Sequence, residues 1–210
     1  MKLIKPSYEI LPQSSGLEGV SQQIEIAGRT CYKSEDKITL DSAKGFVERM
    51  IKSGHGAMLE HGTVYLTIYP HDAITGYKYR NNKYSKYFER RIREEPTPEV
   101  TKYVTTNYRV LVENSWLDDL KYICEPTEFH EKRITVKFIC DRGVSHEFVR
   151  HRVFSFAQES TRYCNYSKEK FGNELTFILP NSFAFCQEAQ ASFFLPSLNN
   201  ALPFIRYELL

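Results

Sequence analysis

The residues best suited to chemistry lie between positions 150 and 163, where the sequence reads RHRVFSFAQESTRY. The cationic and hydroxyl side chains of this stretch that could meet a ligand are Arg150, His151, Arg152, Ser160 and Arg162. Two guanidinium groups about 6 Å apart repel by about 3 kcal/mol at an effective dielectric constant near 20. Because arginine binds phosphate oxygens in pairs and stacks on flat rings, the cluster predicts a site for anionic, ring-containing ligands.

The order of these residues limits how they can act. Side chains alternate along an extended chain and fan out by about 100 degrees per residue on a helix, so Arg150, His151 and Arg152 cannot all face one small anion. The arrangement suits two partners, such as a diphosphate-bearing cofactor beside a nucleotide. A structural alternative stays open, in which Glu147 and Glu159 neutralise the arginines in an ion-pair network.

Other familiar motifs are not supported. Gly54 and Gly56 begin a glycine pattern, but Leu59 stands where a dinucleotide-binding fingerprint needs its third glycine. Two histidine pairs have spacings that match no common zinc motif, so no metal is predicted. These pairs are His55 with His61 and His146 with His151.

Composition restricts the class of protein. The 210 residues, 41% of them hydrophobic, suffice for one domain with its own core. The formal net charge of +2 is too small for a global nucleic-acid or membrane field, so anion recognition must be local. Five cysteines without a C-x-x-C pair favour reduced thiols, and no signal peptide or long apolar run is evident, which predicts a cytoplasmic protein. Cys164 has no neighbouring histidine to act as a base, so we expect a packed thiol.

Hydrophobic periodicity predicts the elements that position the cluster. The predicted helices are residues 17–29 up to the segment GRTCY, a helix between Asp41 and Gly54, and a short helix from Asn114 through Ile123. The predicted strands are residues 63–69, 103–112 and 133–140. Asp141 is expected to cap a further helix that starts near Gly143, which places the cluster at or just beyond a helix end.

Two segments have unusual composition. Residues 77–99 are basic and tyrosine-rich, which suits an extended hairpin or subunit arm; the alternative is a nucleic-acid surface in which tyrosines stack on bases. Residues 181–210 contain few charges and clumped Phe and Leu without a clear period. Such a segment is expected to be buried against the core or a partner, or to be poorly ordered.

The spacing Arg150-His151-Arg152, seven residues, then Ser160 reproduces R-H-R-x7-S, and this stretch resembles the signature of flavin-dependent thymidylate synthases. The segments GRTCY (28–32) and SGHGAMLEHGTVYLTI (53–68) are similar to two further patches of that family in order and spacing. The resemblance covers most of residues 17–180, with residues 70–132 as an insertion.

The resemblance implies an α+β fold with a mostly antiparallel sheet flanked by helices and an inserted hairpin region. A domain over residues 1–180 would be followed by a divergent apolar segment, 181–210. Family members are homotetramers that hold FAD across subunit contacts, with dUMP stacked on the flavin. NADPH reduces the flavin, methylenetetrahydrofolate supplies the carbon, and dUMP becomes dTMP. No membrane partner is implied, and nucleic acid is not the expected partner.

By position, the resemblance implies two overlapping sets of site residues and assigns no catalytic residue. The residues expected to contact FAD are His55, Ala57, Arg150, His151, Arg152 and Gln158. The residues expected to line the dUMP site are Glu147, Phe148, Val149, Arg150, Gln158, Glu159, Ser160, Thr161 and Arg162.

The sequence departs from the family pattern in two places. Gln158 stands where a glutamate is common, which would change the hydrogen bonding of nucleotide or flavin. The helical half with a leucine-arginine pair that usually follows the motif has only a faint echo in Ile205-Arg206. An alternative is therefore a truncated family member that binds FAD without turnover.

Overall fold

The structure is a computed structural model that describes residues 2–69, 73–92, 99–151, 153–159, 176–179 and 207–209. The chain divides into two compact units. The first comprises Met1–Leu11, Thr30–Ser34 and Val136–Leu210, and the second comprises Pro12–Arg29 and Glu35–Thr135. Each unit is described by itself.

The described residues contain short helices and short strands. The helices are α1 (Gly16–Tyr32), α2 (Ser42–Lys52), α3 (Gly56–Leu59), α4 (Ala73–Arg80), α5 (Tyr108–Glu113) and α6 (Arg142–Phe148), with 3-10 turns at Glu35–Lys37 and Leu117–Tyr122. The strands are β1 (Lys2–Ile4), β2 (Ser7–Leu11), β3 (Thr63–Ile68), β4 (Lys86–Ile92), β5 (Glu99–Asn107), β6 (Thr135–Cys140), β7 (Thr176–Ile178) and β8 (Tyr207–Leu209).

The second unit is built on an antiparallel sheet of order β3-β5-β4. Its strands are rich in β-branched and aromatic residues, which pack well on a pleated surface. Residues Val64, Leu66 and Val104 of this sheet are fully buried, as is Tyr79 of α4. The strand predicted at 63–69 is thus confirmed as β3, and all its side chains except that of Thr67 are buried.

Helices α1 and α2 confirm the two strongest helix predictions. Helix α2 follows Asp41, and its apolar residues at helical spacing are buried, among them Phe46 and Met50. A Cβ at Gly28 of α1 would lie 2.4 Å from the Phe46 ring, so glycine permits the close approach. The segment GRTCY, predicted to end α1, continues it to Tyr32. Lys33, with φ of 47°, then ends the helix.

The predicted strand 103–112 is wrong beyond Asn107, where β5 ends and α5 begins. The Asn107 side chain accepts a hydrogen bond from the Val110 backbone N–H, a helix cap that outweighs the β preference of the valines that follow. Asn114 ends α5 instead of capping the next helix, which is a short 3-10 turn at Leu117–Tyr122.

The first unit contains a parallel pair, β1 with β7, and a three-stranded sheet of order β2-β6-β8. The strand predicted at 133–140 is observed as β6, although most of its residues are half-buried instead of alternating. The α+β prediction therefore holds at the coarser level of helices with small sheets, in which parallel and antiparallel pairs both occur.

The basic, tyrosine-rich segment is partly a hairpin. Its start belongs to α4, whereas β4 and β5 pair antiparallel, with Lys86 opposite Thr105. Residues 93–98 and 180–206 lie outside the described residues, so the structural prediction for most of 181–210 stays a prediction. Within the described part of the chain, no helix combines the length and apolar character needed to cross a bilayer.

Candidate functional site

Helix α6 positions the start of the basic cluster in the first unit. The Asp141 side chain accepts a hydrogen bond from the Val144 backbone N–H at 3.1 Å, which confirms the predicted cap. After α6, the backbone N–H of Arg150 donates to the Glu147 carbonyl and that of His151 to the Phe148 carbonyl. Arg150 and His151 therefore sit on a tight turn directly after the helix, as the sequence predicts.

Arg150 lies at the surface and has one carboxylate partner in the described residues. Its Nη1 is 3.3 Å from Glu147 Oε2, and the two side chains are 75% and 68% exposed. Exposed pairs of this kind contribute about 0.2–1 kcal/mol. An arginine has five N–H donors and this contact uses one, so the guanidinium can still donate to another anion. For Arg150, the ion-pair alternative is therefore realised in the described residues as one exposed pair.

Exposed apolar side chains follow Arg150 and His151 along the chain. The ring of His151 is 6.5 Å from that of Phe154, which is 64% exposed, and Val153 is also exposed. Phe154 in turn contacts the ring of Phe156 edge-on. Imidazole and phenyl rings beside an exposed guanidinium provide both charge and flat surface, which suits a ring-containing anion.

Gln158 is held by a buried serine of α6. Its Nε2 donates to Ser145 Oγ at 2.9 Å, and Ser145 Oγ donates to the Arg142 carbonyl at 3.0 Å. Ser145 is fully buried, whereas Gln158 is half-buried. A backbone hydrogen bond of Gln158 also reaches Cys31, whose thiol pKa is raised by burial and lowered in part by this bond. The Gln158 amide is therefore held by a buried hydroxyl.

Two other predicted site residues make contacts within the first unit. Glu159 is buried and lies 3.7 Å from Lys33 Nζ. The Phe148 ring stacks on Phe138 of β6 at 5.0 Å between centroids. Val149, the residue after Phe148, is partly exposed. The structure thus brings Glu147 through His151 and Gln158–Glu159 into one unit, in which Glu159 and Phe148 are packed, Gln158 is half-buried and the others lie at the surface.

Four members of the predicted set lie outside the described residues, so their roles stay predictions. They are Arg152, Ser160, Thr161 and Arg162.

The predicted flavin residues His55 and Ala57 belong to the second unit. Both are exposed, and His55 precedes the single turn of α3. Gly54 has φ of 71°, which only glycine adopts without strain, so it allows the turn from α2 into α3. A Cβ at Gly56 would lie 3.0 Å from Arg109 Nε. The turn is consequently packed against an arginine that sequence reasoning missed.

Arg109 is fixed by two carboxylates. Its Nη1 lies 2.6 Å from Glu60 Oε1 and its Nε 2.7 Å from Glu113 Oε1. Both bonds raise the pKa of the arginine. Only the Glu113 contact has a sequence signal, the i to i+4 spacing on α5; the Glu60 contact depends on the fold.

The GRTCY segment places its arginine inward. Arg29 donates from Nε and Nη2 to Glu25 Oε1, and Ser42 Oγ donates to Glu25 Oε2 at 2.8 Å. The guanidinium carbon lies 4.9 Å from the centre of the Phe46 ring. Arg29 therefore serves the packing of the second unit, with 11% of its side chain exposed.

The described thiols are reduced. Cys31 and Cys124 are half-buried and Cys140 is buried; burial raises the pKa of all three, that of Cys140 to about 11. Cys164 lies outside the described residues. Within the described ranges, no group of three or more His, Cys, Asp and Glu side chains is placed to hold a metal ion.

Comparison with protein-family models matches residues 83–203 to the family described as thymidylate synthase complementing protein. The match covers more than half of the 210-residue chain and includes the whole R-H-R-x7-S signature. The chain belongs to this family. It is the flavin-dependent thymidylate synthase family, so the resemblance is confirmed. No curated protein and no solved structure matches the chain.

Membership of the thymidylate synthase complementing protein family implies a function related to thymidylate synthesis and the use of FAD and NADPH. The match begins within the predicted insertion, 70–132, and extends into the predicted divergent segment, 181–210. The proposed domain boundary at residue 180 is not tested by this match and stays a prediction.

Proposed function

We propose that the chain catalyses the reductive methylation of dUMP to dTMP, with methylenetetrahydrofolate as the carbon donor and FAD and NADPH as redox cofactors. The observation that carries the proposal is that the family match contains the R-H-R-x7-S signature, whose described cations lie at the surface directly after α6. The proposal includes a homotetramer, which light scattering of the purified protein tests.

The described residues fit FAD chemically. Arg150 offers a cationic donor and His151 a ring N–H, and among the described residues one exposed carboxylate, that of Glu147, pairs with Arg150. The exposed ring of Phe154 offers flat apolar surface beside them. Bound and reduced FAD would supply the hydride, so no nucleophilic thiol is required; the raised pKa values of the described thiols accord with this.

The proposal keeps the cofactor contacts that the resemblance implies. Arg150, His151 and Arg152 would bind FAD, with Arg150 shared with dUMP. His55 and Ala57, which lie on an exposed turn next to Gly54 and Arg109, would also contact FAD in the homotetramer.

A third group of residues would line the dUMP site. Glu147 and the amide of Gln158 would accept hydrogen bonds, whereas buried Glu159 would act through its ion pair with Lys33. Phe148 and Val149 would contribute packing beside the nucleotide. Ser160, Thr161 and Arg162 would contact its phosphate or sugar.

The visible spectrum of the purified protein tests cofactor binding. We expect flavin absorbance, or its restoration near stoichiometry when FAD is added. Arg150→Ala should abolish FAD uptake. Among the described residues, the exposed Arg150 guanidinium would be the main group that donates hydrogen bonds to the FAD phosphates. Colourless wild-type protein that takes up no FAD would contradict the proposal.

Arg91→Ala provides a matched control for Arg150→Ala. Arg91 is also an exposed arginine, 69% accessible, and its Nη2 lies 3.4 Å from Glu89 Oε2. It belongs to β4 of the second unit, outside the proposed site. Loss of FAD in both variants would indicate a general charge effect instead of a site at Arg150.

Turnover is measured separately from cofactor uptake. Protein, dUMP, methylenetetrahydrofolate and NADPH should yield dTMP, which chromatography detects. FAD uptake without dTMP formation would favour the alternative of an inactive family member. The two assays therefore distinguish a binding-only protein from an enzyme.

The nucleic-acid alternative has less structural support. On the exposed face of β4, the Phe88 and Phe129 rings stack at 5.7 Å, and Arg90 lies over Phe129 at 4.9 Å. These side chains already contact one another, as is usual on the surface of a folded protein. Salt-sensitive retention of RNA by flavin-free protein, lost in Arg90→Ala, would reverse this preference.

A further inference from the structure

Gln158 donates a hydrogen bond to Ser145, and a second hydrogen bond of Ser145 determines which residue is the donor. A serine hydroxyl has one proton and two acceptor lone pairs. Ser145 Oγ commits its proton to the Arg142 carbonyl at 3.0 Å, a bond within the first turn of α6. Gln158 must then present its amide NH2 to Ser145, as its Nε2 does at 2.9 Å.

The pair is built into the first unit. Ser145 is fully buried, so its hydroxyl has no access to bulk water. A buried hydroxyl or amide left without a partner costs about 1–3 kcal/mol. Rotation of the amide that placed Oε1 against the hydroxyl would require Ser145 to give up the Arg142 carbonyl.

We propose that Ser145 is a positioning residue that orients the Gln158 amide so that Oε1 is presented to the ligand as a hydrogen-bond acceptor. This inference rests on the proposed function, in which Gln158 lies beside flavin and nucleotide. The complementary ligand group is an imide N–H, which the flavin ring and uracil both carry. The described residues give Oε1 no hydrogen-bond partner of its own.

The first test uses the protein without ligand. Glutamine-selective 15N labelling, with the Gln158 signal assigned by its loss in Gln158→Ala, reports exchange of the side-chain NH2 with solvent. We expect slow exchange in the wild type and at least 10-fold faster exchange in Ser145→Ala. Equal exchange rates in the two proteins would overturn the proposal whether or not FAD binds.

The second test measures ligand affinity as a double-mutant cycle. Ser145→Ala should weaken binding about 3- to 10-fold, the range expected for one hydrogen bond. In the Gln158→Ala background the same substitution should have no further effect, because the residue through which it acts is gone. Full additivity of the two substitutions would show that Ser145 acts independently of Gln158.

Two separate titrations show whether Oε1 meets the imide of the flavin or that of uracil. FAD is titrated alone by quenching of flavin fluorescence, and dUMP is titrated against FAD-loaded protein by the change in flavin absorbance. A loss confined to one titration identifies the ligand that Oε1 meets, and no loss in either overturns the positioning role. Wild-type protein that binds neither ligand refutes the proposed function, while the exchange measurement still decides the orientation.

Ser21→Ala provides the structural control. Ser21 of α1 also donates to a carbonyl of its own helix, that of Leu17 at 3.0 Å, and accepts nothing from a distant side chain in the described residues. Both serine variants remove one such helical bond, but only Ser145→Ala should alter ligand affinity. Thermal unfolding of both variants confirms that the measured protein is folded.

Discussion

Arg29 and Arg150 each pair with a glutamate about one helical turn earlier, yet the two pairs differ in nearly every physical respect. Arg29 and Glu25 are 11% and 2% exposed, and Ser42 holds the second carboxylate oxygen. Arg150 and Glu147 are 75% and 68% exposed. The buried pair is therefore part of the packing, whereas the surface pair leaves its arginine available. Burial, and not the residue types, separates Arg29, which is part of the packing, from Arg150, which we propose binds a ligand.

Substitution of Glu25, the partner of the buried arginine, should cause the largest loss of stability. Glu25→Ala leaves the Arg29 guanidinium buried without its carboxylate, so we expect a loss of about 3–5 kcal/mol in the free energy of unfolding. Urea denaturation measures it. Glu147→Ala is the matched variant and should change stability by less than about 0.5 kcal/mol. Similar losses in both variants would contradict the assignment of different roles.

Gly28→Ala tests the packing beneath Arg29. The added Cβ would lie 2.4 Å from Phe46 Cζ, the ring on which the guanidinium rests, so we expect a loss of about 1–3 kcal/mol from overpacking. Gly45→Ala on α2 is the control, because its Cβ would meet only Arg49 Nη1, at 3.6 Å. It should gain up to about 1 kcal/mol from helix propensity. Destabilisation by Gly45→Ala of the same size as by Gly28→Ala would contradict this explanation.

A buried histidine, His130, should make the stability of the fold depend on pH. His130 is buried, its Nδ1 accepts from the Thr127 backbone N–H, and its Nε2 faces the Leu66 carbonyl and the Cys124 thiol. Burial lowers its pKa. The unfolded chain therefore takes up a proton first, so stability should fall as pH drops below about 6.5, by at most about 1.4 kcal/mol per pH unit.

Unfolding by urea across pH 5 to 8 checks this sign. His130→Gln should remove the dependence, since an amide does not titrate. A pH dependence that survives in His130→Gln would assign it to another group.

The sequence predicted the elements where one local signal dominates. Apolar spacing gave α2, and Asp141 gave the start of α6 with the cluster at its end. At Asn107 a capping side chain competed with a β-branched run, and the cap prevailed. Two long-range contacts, Gln158 with Ser145 and Arg109 with Glu60, had no signal, because they depend on which elements meet.

The smallest expected effect concerns the Glu147 carboxylate, which in the proposal competes with FAD for Arg150 and also lines the dUMP site. Glu147→Gln removes the competing charge, so FAD should bind about 1.5- to 5-fold more tightly, the equivalent of about 0.2–1 kcal/mol. The same change replaces a charged acceptor, so dUMP should bind more weakly. Separate titrations of the two ligands resolve these opposite signs. If Glu147→Gln instead weakens FAD binding, the Glu147 carboxylate supports the cofactor site. The Arg150–Glu147 pair would then have a structural role, like the Arg29–Glu25 pair.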